Sequence, residues 1–537
     1  KVLNCHKKGN GFIEGNKYIV TWALGHLVTL ADPESYDNKY KTWNLDDLPM
    51  LPEPLRLTVI NKARGQFNAV KHQLLRKDAD RIIIATDAGR EGELVARWII
   101  KKAKVNKPIE RLWISSVTDK AISEGFRNLK PGKDYENLYE AAVARSEADW
   151  YIGLNASRAL TTKFNAQLNC GRVQTPTLAM IESREEEIRN FKPKTYYGIE
   201  ALTDKLKLTW QDQKGNSRSF DKEKLDGLVN KVDGSPLTVD SVESKPKKTF
   251  APGLYDLTEL QRDANKQFGF SAKETLNVLQ GLYERHKVVT YPRTDSRYLS
   301  KDIVPTLPER LKACGIGEYR ATATRILRGK IQANKSFVDD SKVSDHHAII
   351  PTENHVHISD FNERERRLYD MIVKRFLAVL LPPHEYEQVT VKATAAGETF
   401  IAKGSTVLKE GWKAAYSNHF DEEETDDVKD QQLPKLEKGE TLQVHRVSQT
   451  SGQTKAPARF TEATLLSAME NPAKYMEVQD KKLKSILDST GGLGTVATRA
   501  DIIDKLFNSF LIEKNGQAIR ITSKGRQLLD LVPDALR

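Results

Sequence analysis

The sequence predicts a multidomain protein, α/β in its first part and α+β beyond, and three observations carry that reading. A chain of 537 residues exceeds one ordinary hydrophobic core, so roughly three or four domains are expected. Its texture opens as alternating strands and helices. Two later stretches of short alternating strands, at 196–242 and 385–416, flank a helical block at 256–382. Split β pieces around an insertion read as one β domain carrying a helical domain.

Each element has its own grounds. Ile82-Ile83-Ile84 is a β-branched run after a polar turn, and Gly89 and Gly92 then open an amphipathic helix with Leu94, Val95, Trp98 and Ile99 on one face. Leu112-Trp113-Ile114 reads as a second strand, followed by Ser115-Ser116 and another helical pattern. Val2 to Cys5 look like the end of a helix. Residues 136–190 read as almost wholly helical and charged. Leu206 to Trp210 and Val389 to Ala393 alternate as strands do. Leu257, Leu260 and Ala264 mark a helix that ends at Phe268-Gly269-Phe270. Ser271 with Glu274 then predicts a capping box for a helix bearing Leu276, Leu279 and Leu282. A similar texture recurs in 460–523. There a helix near Leu465 and the turn Gly491-Gly492-Leu493-Gly494 precede a helix with Ile502, Ile503 and Leu506, which Thr498 and Asp501 can cap. Ile519–Ile521 resembles a wing strand. Such helix pairs bind DNA in some proteins and are plain packing units in others. The acidic tract Asp421 to Asp430 reads as a disordered surface loop.

Composition narrows the function. Hydrophobic residues make up 39% of the chain and mean hydropathy is −0.55, as in a soluble globular protein with a polar surface. No run of about 18 apolar residues exists, which excludes a transmembrane helix, and Lys1 to Asn10 lack the apolar core of a signal peptide. Cys5, Cys170 and Cys314 lie far apart, so neither a disulfide framework nor a CxxC zinc site is expected, and a reducing cytoplasm is the natural compartment. The net charge of +11 and pI near 9.1 favour an anionic partner, although solvated lysine faces give the same totals. No GxxxxGK[ST] occurs, so the chemistry should not need a P-loop ATPase.

Three places could carry chemistry. Asp87 ends a buried-looking strand and Glu91 follows one helical turn later; at the carboxyl end of a strand, such a pair suits a hard cation like Mg²⁺. Equally, Asp87 can cap the helix while Glu91 pairs with Arg90 or Arg97. Thr290 to Arg297 is dense in reactive groups. Its Tyr291 needs nearby cations or a base to act as a nucleophile, and Arg293 can present its fork to a phosphate from the same face. The same stretch also reads as a packed ring with a surface ion pair. Asp345-His346-His347 suggests one functional histidine with a carboxylate neighbour, or a hydrogen-bonded structural one.

Together these segments resemble the type IA DNA topoisomerases, in that family's order and over essentially the whole chain. Ala85-Thr86-Asp87-Ala88-Gly89-Arg90-Glu91-Gly92-Glu93 resembles the acidic Toprim motif, and Asn169 to Thr177 the GRVQ segment. Thr290 to Ser296 (TYPRTDS) is similar to the nucleophilic tyrosine motif, Ser344 to Thr352 (SDHHAIIPT) to the active-site histidine motif, and Gly492 to Arg499 to a late DNA-binding motif. The resemblance implies a padlock-shaped torus: a Toprim domain at 1–134, a winged-helix-like domain from 135–195 and 437–537, a β hinge from 196–255 and 383–436, and a helical, winged-helix-like domain at 256–382 bearing the tyrosine. It implies that Tyr291 forms a 5′-phosphotyrosyl bond, that Arg293 holds the scissile phosphate and that His346 orients or protonates nearby groups. Asp87 and Glu91 would bind Mg²⁺, and Arg172, Gln174, Arg184 and Arg499 would contact the incoming strand. The partners implied are single-stranded and negatively supercoiled or catenated DNA, with no ATP, no membrane and a monomeric enzyme.

The sequence departs from the family pattern in three ways. The family's first strand, with a catalytic Glu followed by Lys, has no counterpart before Lys1, and a Toprim site without it should cleave poorly. Gly89 stands at the middle acid of DxDxE, which weakens a two-metal site. The sequence stops at Arg537, where relatives usually continue into a C-terminal DNA-binding extension; the zinc-ribbon cysteines of many topoisomerase I relatives do not appear, which favours the topoisomerase III kind. A Toprim nuclease or primase, a DNA-binding regulator and a non-cutting single-strand binder are the competing readings.

Overall fold

In the computed structural model, which describes residues 1–417, 427–476 and 480–537, Ile82–Ile84 forms a strand paired in parallel with Ile109–Arg111. The second strand thus lies three residues ahead of the predicted Leu112–Ile114. Its partner is only three residues long. After the Leu112 N–H donates to the Ile84 carbonyl at 2.9 Å, the chain leaves the sheet and Trp113 turns toward the site. Residues Lys1 to Asn4 make a single turn, closed by the Asn4 N–H on the Lys1 carbonyl, where a helix end was expected.

Helix Arg90–Lys102 buries Leu94, Trp98 and Ile99, as its periodicity predicts, against Leu27, Val28, Phe67 and Val70. Its N-cap is Gly89, not Asp87. Gly92 sits so close to the strand end that a Cβ there would lie 1.8 Å from the Asp87 carbonyl oxygen. Backbone cannot retreat as a flexible side chain can. Gly92→Ala should therefore cost about 1–3 kcal/mol of stability, the range for overpacking, and displace Asp87; an unchanged melting temperature would contradict this close approach.

The helical reading of 136–190 resolves into helices Glu136–Phe164 and Gln174–Asn190, the first ended by Asn165 in the left-handed region at φ 50°. The two β stretches do join, in one antiparallel seven-stranded sheet. Its order is Thr441–Leu442, Leu237–Thr249, His384–Ala395, Glu398–Lys409, Lys207–Gln211, Thr195–Thr203, Val444–Gln453. Ile199, Ala201, Leu208, Trp210, Val391, Ala393 and Phe400 line its core. Strands Thr441–Leu442 and Val444–Gln453 fall within 437–537, the segment that the resemblance assigns to the winged-helix-like domain. They belong to the sheet because Val444–Gln453 pairs along Thr195–Thr203. The acidic tract from Asp421 to Asp426 lies outside the described residues.

Between the β pieces, helices Leu257–Phe268 and Ala272–Glu284 meet at Gly269, whose φ of 69° closes the first helix. The Ser271 hydroxyl accepts from the Glu274 N–H at 3.0 Å. The reciprocal half of the capping box is not made, because the Glu274 carboxylate pairs with Arg364 at 2.8 Å. The C-terminal unit has helices Glu462–Glu470 and Arg499–Asn508 and the hairpin Ile512–Asn515/Ala518–Ile521. Neither predicted cap of the second helix acts as one: the Thr498 hydroxyl accepts from the Thr495 N–H at 3.0 Å, and Asp501 pairs with Lys273. One continuous core, from Leu260 through Leu465 to Ile503 and Ile519, joins this unit to the helical insertion. The three cysteines are buried and free. Among the described residues no helix is long and apolar enough to cross a membrane.

Candidate active site

A cavity of about 1220 Å³ opens where the first parallel strands, the helical insertion and the C-terminal glycine turn meet, and it is lined by Asp87, Glu91, Tyr291, Arg293, His346 and Arg499. The other three sequence-predicted residues do not line it. Arg172 pairs with Asp149 at 2.9 Å, and Gln174 is the first residue of its helix. Arg184 donates to the Ala458 carbonyl at 2.7 Å and lies over the Phe460 ring. The Gly171–Gln174 segment nonetheless abuts the rim, since Val173 packs beside Gly494.

Asp87 is positioned by a buried arginine. Arg111 donates to the carbonyls of Thr86 at 2.7 Å and Asp87 at 2.6 Å, which holds the end of the Ile82–Ile84 strand. Glu93, wholly buried, neutralises it and also pairs with Arg97 at 2.7 Å. A buried charge is tolerable only when compensated in this way. Burial pushes the Asp87 carboxyl above its ordinary range, and the charge of Arg293 opposes that rise. Glu91 is moved the other way, first by the hydrogen bond with His26 and also by Arg145; their nitrogens lie 3.5 and 3.6 Å from its oxygens. The expected partners Arg90 and Arg97 are not the ones it meets.

Tyr291 is buried, with its ring stacked on His346 at 4.1 Å between centroids and edge-on to Tyr283 at 5.6 Å. Burial and then the charge of Asp87 push its hydroxyl well above the usual phenol range, while Arg293 draws it back. The Arg293 Nε is buried with no hydrogen-bond partner among the described residues. An unsatisfied guanidinium donor in a cavity costs free energy and suits an anion that would complete it.

His346 and His347 divide as adjacent residues should. His347 donates from Nδ1 to the Ala348 carbonyl at 2.7 Å, away from the cavity, whereas the His346 ring contacts Ser115 Oγ through Nδ1 at 2.8 Å and the Ala88 carbonyl through Nε2. A carbonyl can only accept, so Nε2 carries the hydrogen and Nδ1 accepts from the serine hydroxyl. Burial pushes the His346 pKa down to about 4, and the ring is neutral at pH 7. Arg499 is buried, and its guanidinium is committed to the carbonyls of Leu493, at 3.0 Å, and Gly491. It builds the glycine turn that forms one wall.

For a metal, Asp87 and Glu91 supply two hard oxygen donors and Gly89 between them supplies none. Among the described residues no group of three or more His, Cys, Asp or Glu is arranged to hold an ion. That donor set fits a cation that keeps several of its waters. Ser115, Trp113, His26, Arg145 and Arg111 were not found from the sequence.

The fold around this cavity is that of a DNA topoisomerase that carries a Toprim unit. Residues 133–537 match the DNA topoisomerase family and residues 6–117 the Toprim domain, a metal-binding domain. The chain belongs to the type IA DNA topoisomerases, and within them to the topoisomerase III branch. DNA topoisomerase 3 of Bacillus cereus is 72% identical over 539 residues, spanning all of this chain and 74% of that protein. The Bacillus subtilis DNA topoisomerase 3 is 62% identical over 538 residues with the same coverage. Full-length topoisomerase I from Thermotoga maritima, 24% identical, superposes with a TM-score of 0.72 over 96% of this chain and 79% of that one, and so has the multidomain fold that the sequence predicts.

Proposed function

We propose that this chain cuts one DNA strand with Tyr291, passes another strand through the break and reseals it, without ATP. The single observation that carries this reading is the convergence of Tyr291, the unsatisfied Arg293 and the Asp87–Glu91 pair on one cavity. The Tyr291 oxygen attacks phosphorus as the bond to the 3′ oxygen breaks. The phenol gives up one proton and the departing 3′ hydroxyl takes one up. The phosphotyrosyl ester keeps the energy of the broken bond, so the reverse attack by the 3′ hydroxyl reseals the strand. Arg293 offsets the charge that develops on the phosphate. Neutral His346 orients the Tyr291 ring by stacking. Asp87 and Glu91 would hold Mg²⁺, which when bound screens phosphate charge near the break. Arg172, Gln174 and Arg184 are proposed to guide the strand along the rim, with Arg499 shaping the wall it meets.

We assign Toprim to 1–134, the tyrosine unit to 256–382, the hinge to the sheet strands of 195–249 and 384–453, and the remaining helical unit to 135–194 and 454–537. Lifting 256–382 on the sheet would open the gate. The substrates are single-stranded regions of negatively supercoiled or catenated DNA, and the enzyme works as a cytoplasmic monomer.

The test is denaturing electrophoresis after mixing the protein with a 3′-labelled single-stranded oligonucleotide. A labelled covalent adduct that requires Mg²⁺, disappears with chelator and needs no ATP is expected. Cut DNA without an adduct would indicate a Toprim nuclease instead, and binding without cutting would indicate a simple single-strand binder.

A further inference from the structure

Among the described residues, every hydrogen bond that ties the Tyr291 backbone N–H and the His346 ring to their surroundings comes from the Toprim side of the cavity. The Tyr291 N–H donates to the Ser115 carbonyl at 2.8 Å. The Ser115 hydroxyl holds His346 Nδ1 at 2.8 Å, and the Ala88 carbonyl holds Nε2. Beside them the Trp113 indole donates to the Asp345 carbonyl at 3.0 Å and stacks on His346, with ring centroids 5.8 Å apart and planes at 15°. The segment's own unit fixes only the neighbouring chain. The Thr294 hydroxyl donates to the His346 carbonyl at 3.1 Å, and the Thr290 N–H to the Ile350 carbonyl at 3.0 Å.

We infer that Ser115 is a positioning residue for the cleavage and resealing steps, aligning the Tyr291–His346 stack from across the gate. Its two oxygens act on the two members of the stack. The hydroxyl donates to Nδ1 of the tautomer that the Ala88 carbonyl selects and so holds the His346 ring plane, and the Ser115 carbonyl sets the backbone that carries the nucleophile. Both contacts bridge units that must separate for strand passage. The nucleophile is therefore aligned only while the gate is shut, and an open gate neither cuts a new strand nor reseals at random. Ser115 touches no reacting atom and works through His346 and Tyr291.

The inference rests on Tyr291 as the nucleophile, and the measurement separates the two. Single-turnover adduct formation and oligonucleotide affinity are measured for the unsubstituted protein, Ser115→Ala, Ser115→Thr, His346→Ala and the Ser115→Ala/His346→Ala pair. Ser115→Ala should form adduct on the order of tenfold more slowly, the size expected for one lost hydrogen bond, with affinity unchanged. Ser115→Thr, which keeps the hydroxyl, should restore the rate. In the His346→Ala background, removing the serine hydroxyl should change nothing, because its partner is already gone. A wild-type rate for Ser115→Ala, or the same loss in both backgrounds, would overturn the inference; the second result marks a serine that matters only for folding. Failure of the nucleophile reading would show differently, as adduct formed by Tyr291→Phe, and would overturn both.

Discussion

Replacing Tyr291 by phenylalanine is expected to reduce covalent adduct and plasmid relaxation to background while leaving single-strand binding within a few-fold. The ring does the packing and the oxygen does the chemistry. Stacked on His346 and edge-on to Tyr283, the ring keeps the same neighbours as phenylalanine. The lost hydroxyl is one that burial holds protonated, so its removal leaves no buried charge behind. The groups that would meet phosphate, Arg293 foremost, are untouched. Nucleophilic catalysis without a nucleophile has no partial form. Relaxation by the Tyr291→Phe protein would mean that another group makes the covalent bond.

Arg293→Ala should slow cleavage by about 10²–10³-fold, the cost of removing one preorganised donor from a developing charge, with a much smaller change in DNA affinity. Two features of the cavity support a rate effect. Its Nε is already desolvated and unpaired, so no reorganisation is needed when phosphate arrives. Its charge also opposes the upward shifts of both Asp87 and Tyr291. Without it both groups hold their protons to higher pH, and the whole pH–rate profile of any residual activity should move in the alkaline direction. Equal losses of binding and turnover, with no such move, would reduce Arg293 to a DNA anchor. Arg293→Lys should recover only part of the rate, since an ammonium lacks the planar fork.

Local patterns found what local patterns can encode. Ile82–Ile84, the face of helix Arg90–Lys102 and the turn at Gly269 follow from β-branching, a 3.6-residue period and a glycine in the left-handed region. The motif residues Asp87, Glu91, Tyr291, Arg293 and His346 meet in one cavity, although they are spread over nearly half the chain. The misses are tertiary. Ser115 and Trp113 owe their place to contacts with residues more than 170 positions away, which no periodicity reports. Glu91 meets His26 and Arg145 in place of its sequence neighbours, while Arg97 pairs with Glu93 instead. The Glu274 half of the capping box failed for the same reason, as Arg364 from a distant helix offers a full charge where Ser271 offers a dipole. The sheet's extent was underestimated because Val444–Gln453 is polar and half exposed, an edge strand without the apolar signature of a core one.

The pairing of Leu237–Thr249 with His384–Ala395 also sets an order of assembly. The ribosome delivers the second strand only after the whole helical insertion has emerged. Until that insertion collapses, closing so long a loop opposes the pairing, and non-local strand pairing is slow. Once the insertion folds, its two ends lie side by side and the ribbon can zip from Thr249 and His384 outward. Damage to the insertion's core, around Leu260 or Leu279, should therefore appear first as delayed sheet formation during refolding, before any loss in the final stability of the sheet itself.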